Sequence, residues 1–117
     1  MKRILVVDDE ENIRMLYQEE LQEEGYEVTA ASNGKDALDI LAKGDPFDLV
    51  TLDIRMPGMD GINTVRAIKE KYQGLAVVLV TAYGEYKQDF STWASDAYIV
   101  KSADLTELKA TIKRIIG

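Results

Sequence analysis

Short apolar runs alternate with longer amphipathic segments along the whole chain, and this alternation limits the possible folds more than any other feature of the sequence. Each run is almost continuously apolar, as expected of strands that are covered on both faces. Five such strands alternating with helices indicate an α/β fold with a doubly wound, five-stranded parallel sheet. The predicted strands are Arg3–Val7, Glu27–Ala31, Leu49–Leu52, Ala76–Thr81 and Ala97–Val100.

Glycines and capping residues predict the limits of four of the five helical segments. Glycine is the residue that most readily closes a helix, and the spacing of Asp104 and Glu107 is that of a capping box at a helix start. The first helix is therefore predicted to end before Gly25, the second to lie between Asn33-Gly34 and Gly44, the third to run from about residue 61 to 72 and stop at Gly74, and the last to begin after Asp104.

The fourth helical segment, between the fourth and fifth strands, carries the weakest signals. Ser91, Thr92 and Ser95 are mediocre helix formers, and no glycine closes the end of the segment. We therefore expect an atypical, short fourth helix. The residues that keep helical spacing there are Tyr86, Phe90, Trp93 and Ala97.

The length of the chain suits a single domain over residues 1–117, since a domain of 117 residues buries enough surface for a stable core. The longest apolar runs, such as Ala76–Val80, are far too short to cross a bilayer or to form the core of a signal peptide. We therefore expect a cytoplasmic protein without membrane contact.

The residue types that are present restrict the chemistry. The chain lacks cysteine and histidine, which excludes disulfides, thiolate nucleophiles, imidazole bases and zinc sites built from these residues. A formal net charge of −7 and scattered basic residues argue against direct binding of nucleic acid. Any reaction must therefore use carboxylates, hydroxyls and lysines.

Polar side chains follow four of the five predicted strands at the points where those strands end. Asp8 and Asp9 follow the first strand, Asp53 follows the third, Thr81 ends the fourth, and Lys101 follows the fifth. In a parallel sheet these positions share one edge, and converging carboxylates with oxygen-only ligands favour Mg²⁺. In a purely structural interpretation, the first two acids would cap a helix and Asp53 would start a turn.

Over nearly its whole length the sequence resembles the receiver domains of response regulators in two-component signal transduction, with a likeness to chemotaxis receivers. The resemblance implies a flavodoxin-like (βα)5 fold with strand order 2-1-3-4-5. The matching motifs are Val7-Asp8-Asp9-Glu10, the loop from Asp53 to Gly61 with Arg55-Met56-Pro57-Gly58, Val80-Thr81-Ala82 and Tyr98-Ile99-Val100-Lys101.

The resemblance also implies a reaction. Asp53 would accept a phosphoryl group from a phosphohistidine of a sensor histidine kinase or a histidine phosphotransfer protein. Thr81 and Lys101 would assist the transfer, so the chain would catalyse only its own phosphorylation and dephosphorylation and would not be an enzyme in the usual sense. Magnesium would be bound by Asp8, Asp9, Asp53 and the backbone carbonyl of Arg55.

Signalling would follow from a switch formed by Thr81 and Tyr98. By resemblance, Thr81 binds the new phosphoryl group and Tyr98 rotates inward behind it, which changes the surface offered to a downstream protein target. The alternative for Tyr98 is an ordinary core tyrosine with its hydroxyl at the rim.

Three competing interpretations share parts of this pattern. A flavin-binding protein of the same architecture needs a phosphate loop after the first strand, where this chain has four acids. A phosphatase of the haloacid-dehalogenase type needs a second aspartate where Arg55 stands. A degenerate receiver that binds partners without phosphorylation stays open as the alternative function.

The residue after Lys101 departs from the family pattern. Receivers usually have proline there, often with a cis bond, whereas this chain has Ser102. A cis bond before a residue other than proline costs about 3 kcal/mol, so we expect a trans Lys101–Ser102 bond. We also expect an altered partner surface on the fourth helix, fifth strand and last helix.

Overall fold

The computed structural model describes residues 1–53, 59–82, 96–102 and 104–117, with only the backbone described for 59–63 and 81. Strands and helices alternate along these residues, as the sequence predicted. In chain order they are β1 Arg3–Val7, α1 Glu11–Glu23, β2 Glu27–Ala31, α2 Gly34–Ala42, β3 Leu49–Leu52, α3 Met59–Lys71, β4 Ala76–Thr81, β5 Ala97–Val100 and α4 Thr106–Ile116.

The strands form one parallel sheet in the order β2-β1-β3-β4-β5. All five strand predictions are confirmed, and so is the strand order that the resemblance implied. Val7 pairs with Ala31 on one side and with Leu52 on the other, and Thr81 pairs with Val100. This register brings the residues that follow β1, β3 and β5 to the same edge of the sheet.

Alternate residues of each strand point to opposite faces, and each face has its own apolar core. One core joins the sheet to α2 and α3 through Leu5, Leu41, Val50, Ile68 and Val77. The other joins it to α1 and α4 through Ile4, Tyr17, Leu21, Leu108 and Ile112. Because both faces are covered, the continuous apolar character of the strands is explained and the doubly wound architecture is confirmed.

Asp96 fixes the start of β5 against its neighbours. Its backbone N–H donates to the Val77 carbonyl at 2.7 Å, and its Oδ2 accepts from the Val77 N–H at 2.8 Å. The same oxygen accepts from Lys69 Nζ at 3.0 Å, which ties α3 to this corner. The strand that leads to Lys101 is therefore held at its beginning by backbone and side-chain bonds.

Helix limits agree with the sequence prediction for α1 and α2 and differ for the others. Gly25 and Gly44 adopt positive φ angles of 96° and 92° after α1 and α2, as a closing glycine does. The third helix already ends at Lys71, ahead of Gly74, and begins at Met59, because neither Met59 nor Asp60 breaks a helix.

The predicted capping box of the last helix is wrong in its register. Leu105 occupies the N-cap position of α4 and makes no side-chain cap. Asp104 lies one residue earlier, where its Oδ1 accepts from the Thr106 N–H at 2.9 Å. The Asp104 N–H donates to Ser102 Oγ at 3.1 Å. The acceptor for this N–H is therefore a serine before the helix and not the Glu107 carboxylate that a capping box would supply.

Two other expectations concern the region around β5. The fourth helical segment falls on residues 83–95, which lie outside the described part of the chain. The described residues contain no cis peptide bond. The Lys101–Ser102 bond is therefore trans, as expected. None of the described helices is both long enough and apolar enough to span a membrane.

Replacement of Gly34 by alanine is expected to destabilise the protein by about 1–3 kcal/mol, the usual cost of overpacking a tight contact. A Cβ atom at Gly34 would approach Thr64 Oγ1 of α3 more closely than real side chains do, and Thr64 is buried. Urea unfolding measures the loss. The matched control is Gly74→Ala, whose added methyl group would meet no atom within 4 Å. Equal stability of the two variants would contradict this account.

Candidate functional site

Lys101 joins two buried carboxylates at the carboxyl edge of the sheet. Its Nζ lies 2.8 Å from Asp53 Oδ2 and 2.9 Å from Asp8 Oδ2. The side chains of Asp8 and Asp53 are only 3% and 2% exposed, and that of Lys101 is 15% exposed. The structure therefore brings together three residues that the sequence placed at the ends of β1, β3 and β5.

Asp8 is held from several directions. Its backbone N–H donates to the Ala31 carbonyl at 3.1 Å, and its Oδ1 accepts from the Glu10 N–H at 2.8 Å. The Arg14 guanidinium donates to the Asp8 backbone carbonyl at 2.7 Å. These bonds leave Oδ2 to face Lys101, so the turn after β1 presents one carboxylate oxygen to the pocket.

The contact of Arg14 was not predicted from the sequence. Arg14 is the only basic residue in α1, and this was the one available signal. A single arginine on an acidic helix is also typical of an exposed face, so the sequence could not distinguish the two arrangements. In the structure its guanidinium supports the chain that carries Asp8 and Asp9.

Asp53 combines one paired oxygen with one unpaired oxygen. Oδ2 accepts from Lys101, whereas Oδ1 is buried and has no hydrogen-bond partner among the described residues. Burial raises the pKa of Asp53 to about 6, against the lowering effect of Lys101 and with a further raising effect of Asp8. A buried acceptor without a donor is costly, so Oδ1 is well suited to bind a ligand.

Asp8, Asp9 and Asp53 form the acidic cluster of this edge. Each offers one carboxylate oxygen, and these oxygens lie within 4.8 Å of one another. Asp9 is exposed whereas Asp8 is buried, so a cation would enter from the side of Asp9. Three convergent carboxylate oxygens fit a hard cation such as Mg²⁺. Asp53 also has the oxygen Oδ1, which accepts no hydrogen bond from the described residues.

The charge of Lys101 is stabilised by its two acidic partners. Burial by itself would lower its pKa, but the hydrogen bonds and charges of Asp53 and Asp8 outweigh burial and raise the pKa above the usual value. Tyr17 of α1 is buried near Lys101, Asp8 and Asp53, and burial raises the pKa of the Tyr17 phenol to about 12. At neutral pH the cluster therefore contains a charged ammonium beside a neutral phenol.

The remaining predicted site residues are less fully described. Thr81 ends β4 beside Val100, but its side chain lies outside the description, and Arg55 lies in the undescribed segment 54–58. Tyr98 is 9% exposed and packs in the core that faces α2 and α3. Its switching role stays a prediction.

Asp53→Asn is expected to stabilise the metal-free protein at pH 7. The folded-state pKa of Asp53 is raised from 3.8 to about 6, so the folded protein favours the protonated carboxyl group. The stability that this group contributes is fully present below pH 3.8 and is lost as the pH rises through 6. A shift of this size corresponds to about 3 kcal/mol. Urea unfolding in EDTA at several pH values measures it.

The expected result is that wild type loses stability relative to Asp53→Asn between pH 4 and 6. The exposed residue Asp45 provides the control variant Asp45→Asn, which should follow the wild-type pH dependence. A constant difference between wild type and Asp53→Asn over this range would contradict the raised pKa.

Fold and site define a class of protein: a flavodoxin-like α/β domain with an acidic cluster and a lysine at the carboxyl edge of its sheet. The family model described as "Response regulator receiver domain" matches residues 4–113. The chain therefore belongs to the response regulator receiver domain family, whose members are signalling domains.

Solved structures of a response regulator are similar to this chain over its whole length. The response regulator TrrA of Thermotoga maritima in complex with Mg²⁺-BeF is 51% identical, with a TM-score of 0.91 and coverage of 99% of this chain and 100% of that one. A second structure contains the histidine kinase ThkA in complex with TrrA, to which this chain is 50% identical with a TM-score of 0.89 over 100% of both chains.

Curated relatives differ in length. Sporulation initiation phosphotransferase F of Bacillus subtilis is 38% identical over 98% of this chain and 94% of its own length. Regulatory protein AtoC of Escherichia coli is 36% identical over 99% of this chain, but the match spans only 25% of AtoC. The same kind of domain thus accounts for nearly all of one relative and a quarter of another.

Proposed function

We propose that this chain is a phosphoacceptor domain that receives a phosphoryl group on Asp53 from the phosphohistidine of a sensor histidine kinase or a histidine phosphotransfer protein. The observation that carries the proposal is the position of Lys101 Nζ, within 2.9 Å of both Asp8 and Asp53. The buried Oδ1 of Asp53 accepts no hydrogen bond from the described residues, which supports Asp53 as the nucleophile. The kinase-bound and Mg²⁺-BeF-bound states of TrrA support the same assignment.

The chemical step exchanges one bond to phosphorus for another. A carboxylate oxygen of Asp53 attacks the phosphorus, a P–O bond forms, and the P–N bond breaks with its electron pair returning to the imidazole of the donor. The Lys101 ammonium already lies beside Asp53 and would neutralise charge on the transferring oxygens. Thr81 would hydrogen-bond one of these oxygens after transfer.

The acidic cluster would hold the cofactor. Asp9 and Asp53 would bind Mg²⁺ through carboxylate oxygens, Asp8 would bind it directly or through water, and Arg55 would contribute its backbone carbonyl. When bound, Mg²⁺ supplies positive charge that offsets the charge of the phosphoryl group. Asp8 and Asp53 share Lys101, so this lysine keeps the two carboxylates together.

The output would be a changed surface for a downstream protein target. The phosphoryl dianion would stabilise the arrangement in which Thr81 and Lys101 both reach it, with Tyr98 following Thr81 inward. A degenerate receiver is the competing function. The close packing of Lys101 with two carboxylates favours phosphorylation, since a purely structural domain gains little from burying two acids with one base.

The test uses a small phosphodonor. Incubation with acetyl phosphate and Mg²⁺ should add the mass of one phosphoryl group, and hydroxylamine should remove it, because an acyl phosphate is cleaved by this nucleophile. A protein that gains no adduct from acetyl phosphate or from a phosphorylated histidine kinase, and that does not bind beryllofluoride, would be a degenerate receiver.

Mg²⁺ binding is expected to be lost in Asp9→Ala. Asp9 is the exposed member of the cluster, so its removal takes away a ligand and a charge without opening the core. Isothermal titration calorimetry measures the affinity. Asp45→Ala removes another exposed carboxylate, outside the cluster, and should keep the wild-type affinity. Equal affinities of Asp9→Ala and wild type would refute this metal assignment.

A further inference from the structure

The segment that follows Lys101 is held by hydrogen bonds between side chains and backbone. The Asp104 N–H donates to Ser102 Oγ at 3.1 Å. Asp104 Oδ1 accepts in turn from the Thr106 N–H at 2.9 Å and from the Thr106 hydroxyl at 2.6 Å. These bonds connect the residue next to Lys101 with the first residue of α4.

Lys101 depends on such support because it lies beyond the sheet. The strand β5 ends at Val100, so Lys101 lies one residue beyond the last paired position of the strand. Its long side chain must nevertheless stay in one conformation to reach both carboxylates, which costs side-chain entropy. The strand β5 fixes the Lys101 backbone on one side, so on the other side its position depends on the segment that follows.

The helix α4 provides a firm attachment for that segment. Leu105, Leu108 and Ile112 are 7%, 2% and 0% exposed and belong to the core against α1. Lys109 of the same helix pairs with Glu20 of α1 at 2.7 Å. The hydrogen bonds from Ser102 to Thr106 therefore connect the residue after Lys101 to a helix that is packed in the core.

We propose that Ser102 is a positioning residue, whose hydroxyl accepts the Asp104 N–H and thereby keeps the Lys101 ammonium on Asp8 and Asp53. The positioning is a property of the unphosphorylated protein. Its effect on phosphoryl transfer rests on the proposed function. A serine that only helped to start α4 would affect the helix but would not act on Lys101.

Site-resolved labelling of amines tests the positioning without any phosphodonor. Metal-free protein is treated with a trace of acetic anhydride, digested, and analysed by mass spectrometry. Loss of one hydrogen bond in Ser102→Ala should speed the labelling of Lys101 by roughly two- to tenfold. Ser102→Thr keeps a hydroxyl acceptor and should label at the wild-type rate.

Lys69 is the internal control, because it is also paired with an aspartate and its side chain is 24% exposed. Its labelling should be the same in all variants. Labelling of Lys101 in Ser102→Ala at the wild-type rate would overturn the proposal. A parallel rise at Lys69 would also overturn it, because it would indicate general loosening of the fold.

A double-variant cycle tests whether Ser102 acts through Lys101. Ser102→Ala should slow phosphorylation by acetyl phosphate roughly two- to tenfold in the wild-type background, and should have no further effect when Lys101 is already methionine. The same slowing in both backgrounds would contradict action through the lysine. If wild type accepts no phosphoryl group, the proposed function fails, whereas the labelling result still decides the positioning.

Discussion

Asp53→Ala is expected to remove all phosphorylation by acetyl phosphate in the presence of Mg²⁺. The alanine lacks the carboxylate of the proposed nucleophile, and the two acids that remain are poorly suited to replace it. Asp8 is tied to Glu10 and to Lys101, and Asp9 is exposed. Intact-mass spectrometry should show one added phosphoryl group on wild type and none on Asp53→Ala.

The control for this experiment is Asp45→Ala, which removes an exposed aspartate outside the cluster and should be phosphorylated like wild type. Circular dichroism establishes that Asp53→Ala is folded. An adduct of equal yield and equal hydroxylamine sensitivity on Asp53→Ala would place the phosphoryl group on another residue and would refute the assignment of Asp53.

Lys101→Met is expected to destabilise the protein by about 3–5 kcal/mol at pH 7 in EDTA, the usual cost of removing one partner from a buried ion pair. Methionine keeps most of the side-chain volume, but it leaves Asp8 and Asp53 buried without their shared cation. One carboxylate oxygen of Asp8 and one of Asp53 lie within 4.8 Å of each other, so the two charges repel when no base lies between them. Urea unfolding measures the loss.

The loss should shrink as the pH falls below about 6, because protonation of Asp53, whose pKa is raised to about 6, removes one of the two negative charges. Lys35→Met is the control, since the pair of Lys35 with Asp39 is 84% and 61% exposed and its loss is expected to change stability far less than Lys101→Met does. A loss in Lys101→Met no larger than that of the control would mean that the lysine does not support the carboxylates.

The strands and the edge residues could be predicted because they depend on patterns that lie close together in the sequence. A run such as Arg3–Val7 is apolar on both faces, and the acids after it necessarily lie where the strand ends. Parallel strands share their carboxyl edge, so the sequence alone indicates that Asp8, Asp53 and Lys101 lie near one another.

The contacts within the site could not be predicted because they depend on side-chain conformation. Nothing in the sequence separates an arginine that donates to the Asp8 carbonyl from one that extends into solvent. The start of α4 was misjudged for a related reason. Ser102, Asp104 and Thr106 can each cap a helix or form a turn, and the packing of Leu105 decides which of these they do.

Among the described residues no group donates to Oδ1 of Asp53, and this has a practical consequence for stability measurements on this protein. Whatever donates to that oxygen or coordinates it binds the folded chain and not the unfolded one, so the midpoint of thermal unfolding rises with the concentration of the ligand. At one hundred times the dissociation constant the gain is about 2.7 kcal/mol. The melting temperature would therefore report the occupancy of the pocket, and if Mg²⁺ binds as proposed, traces of it in a buffer would shift this temperature.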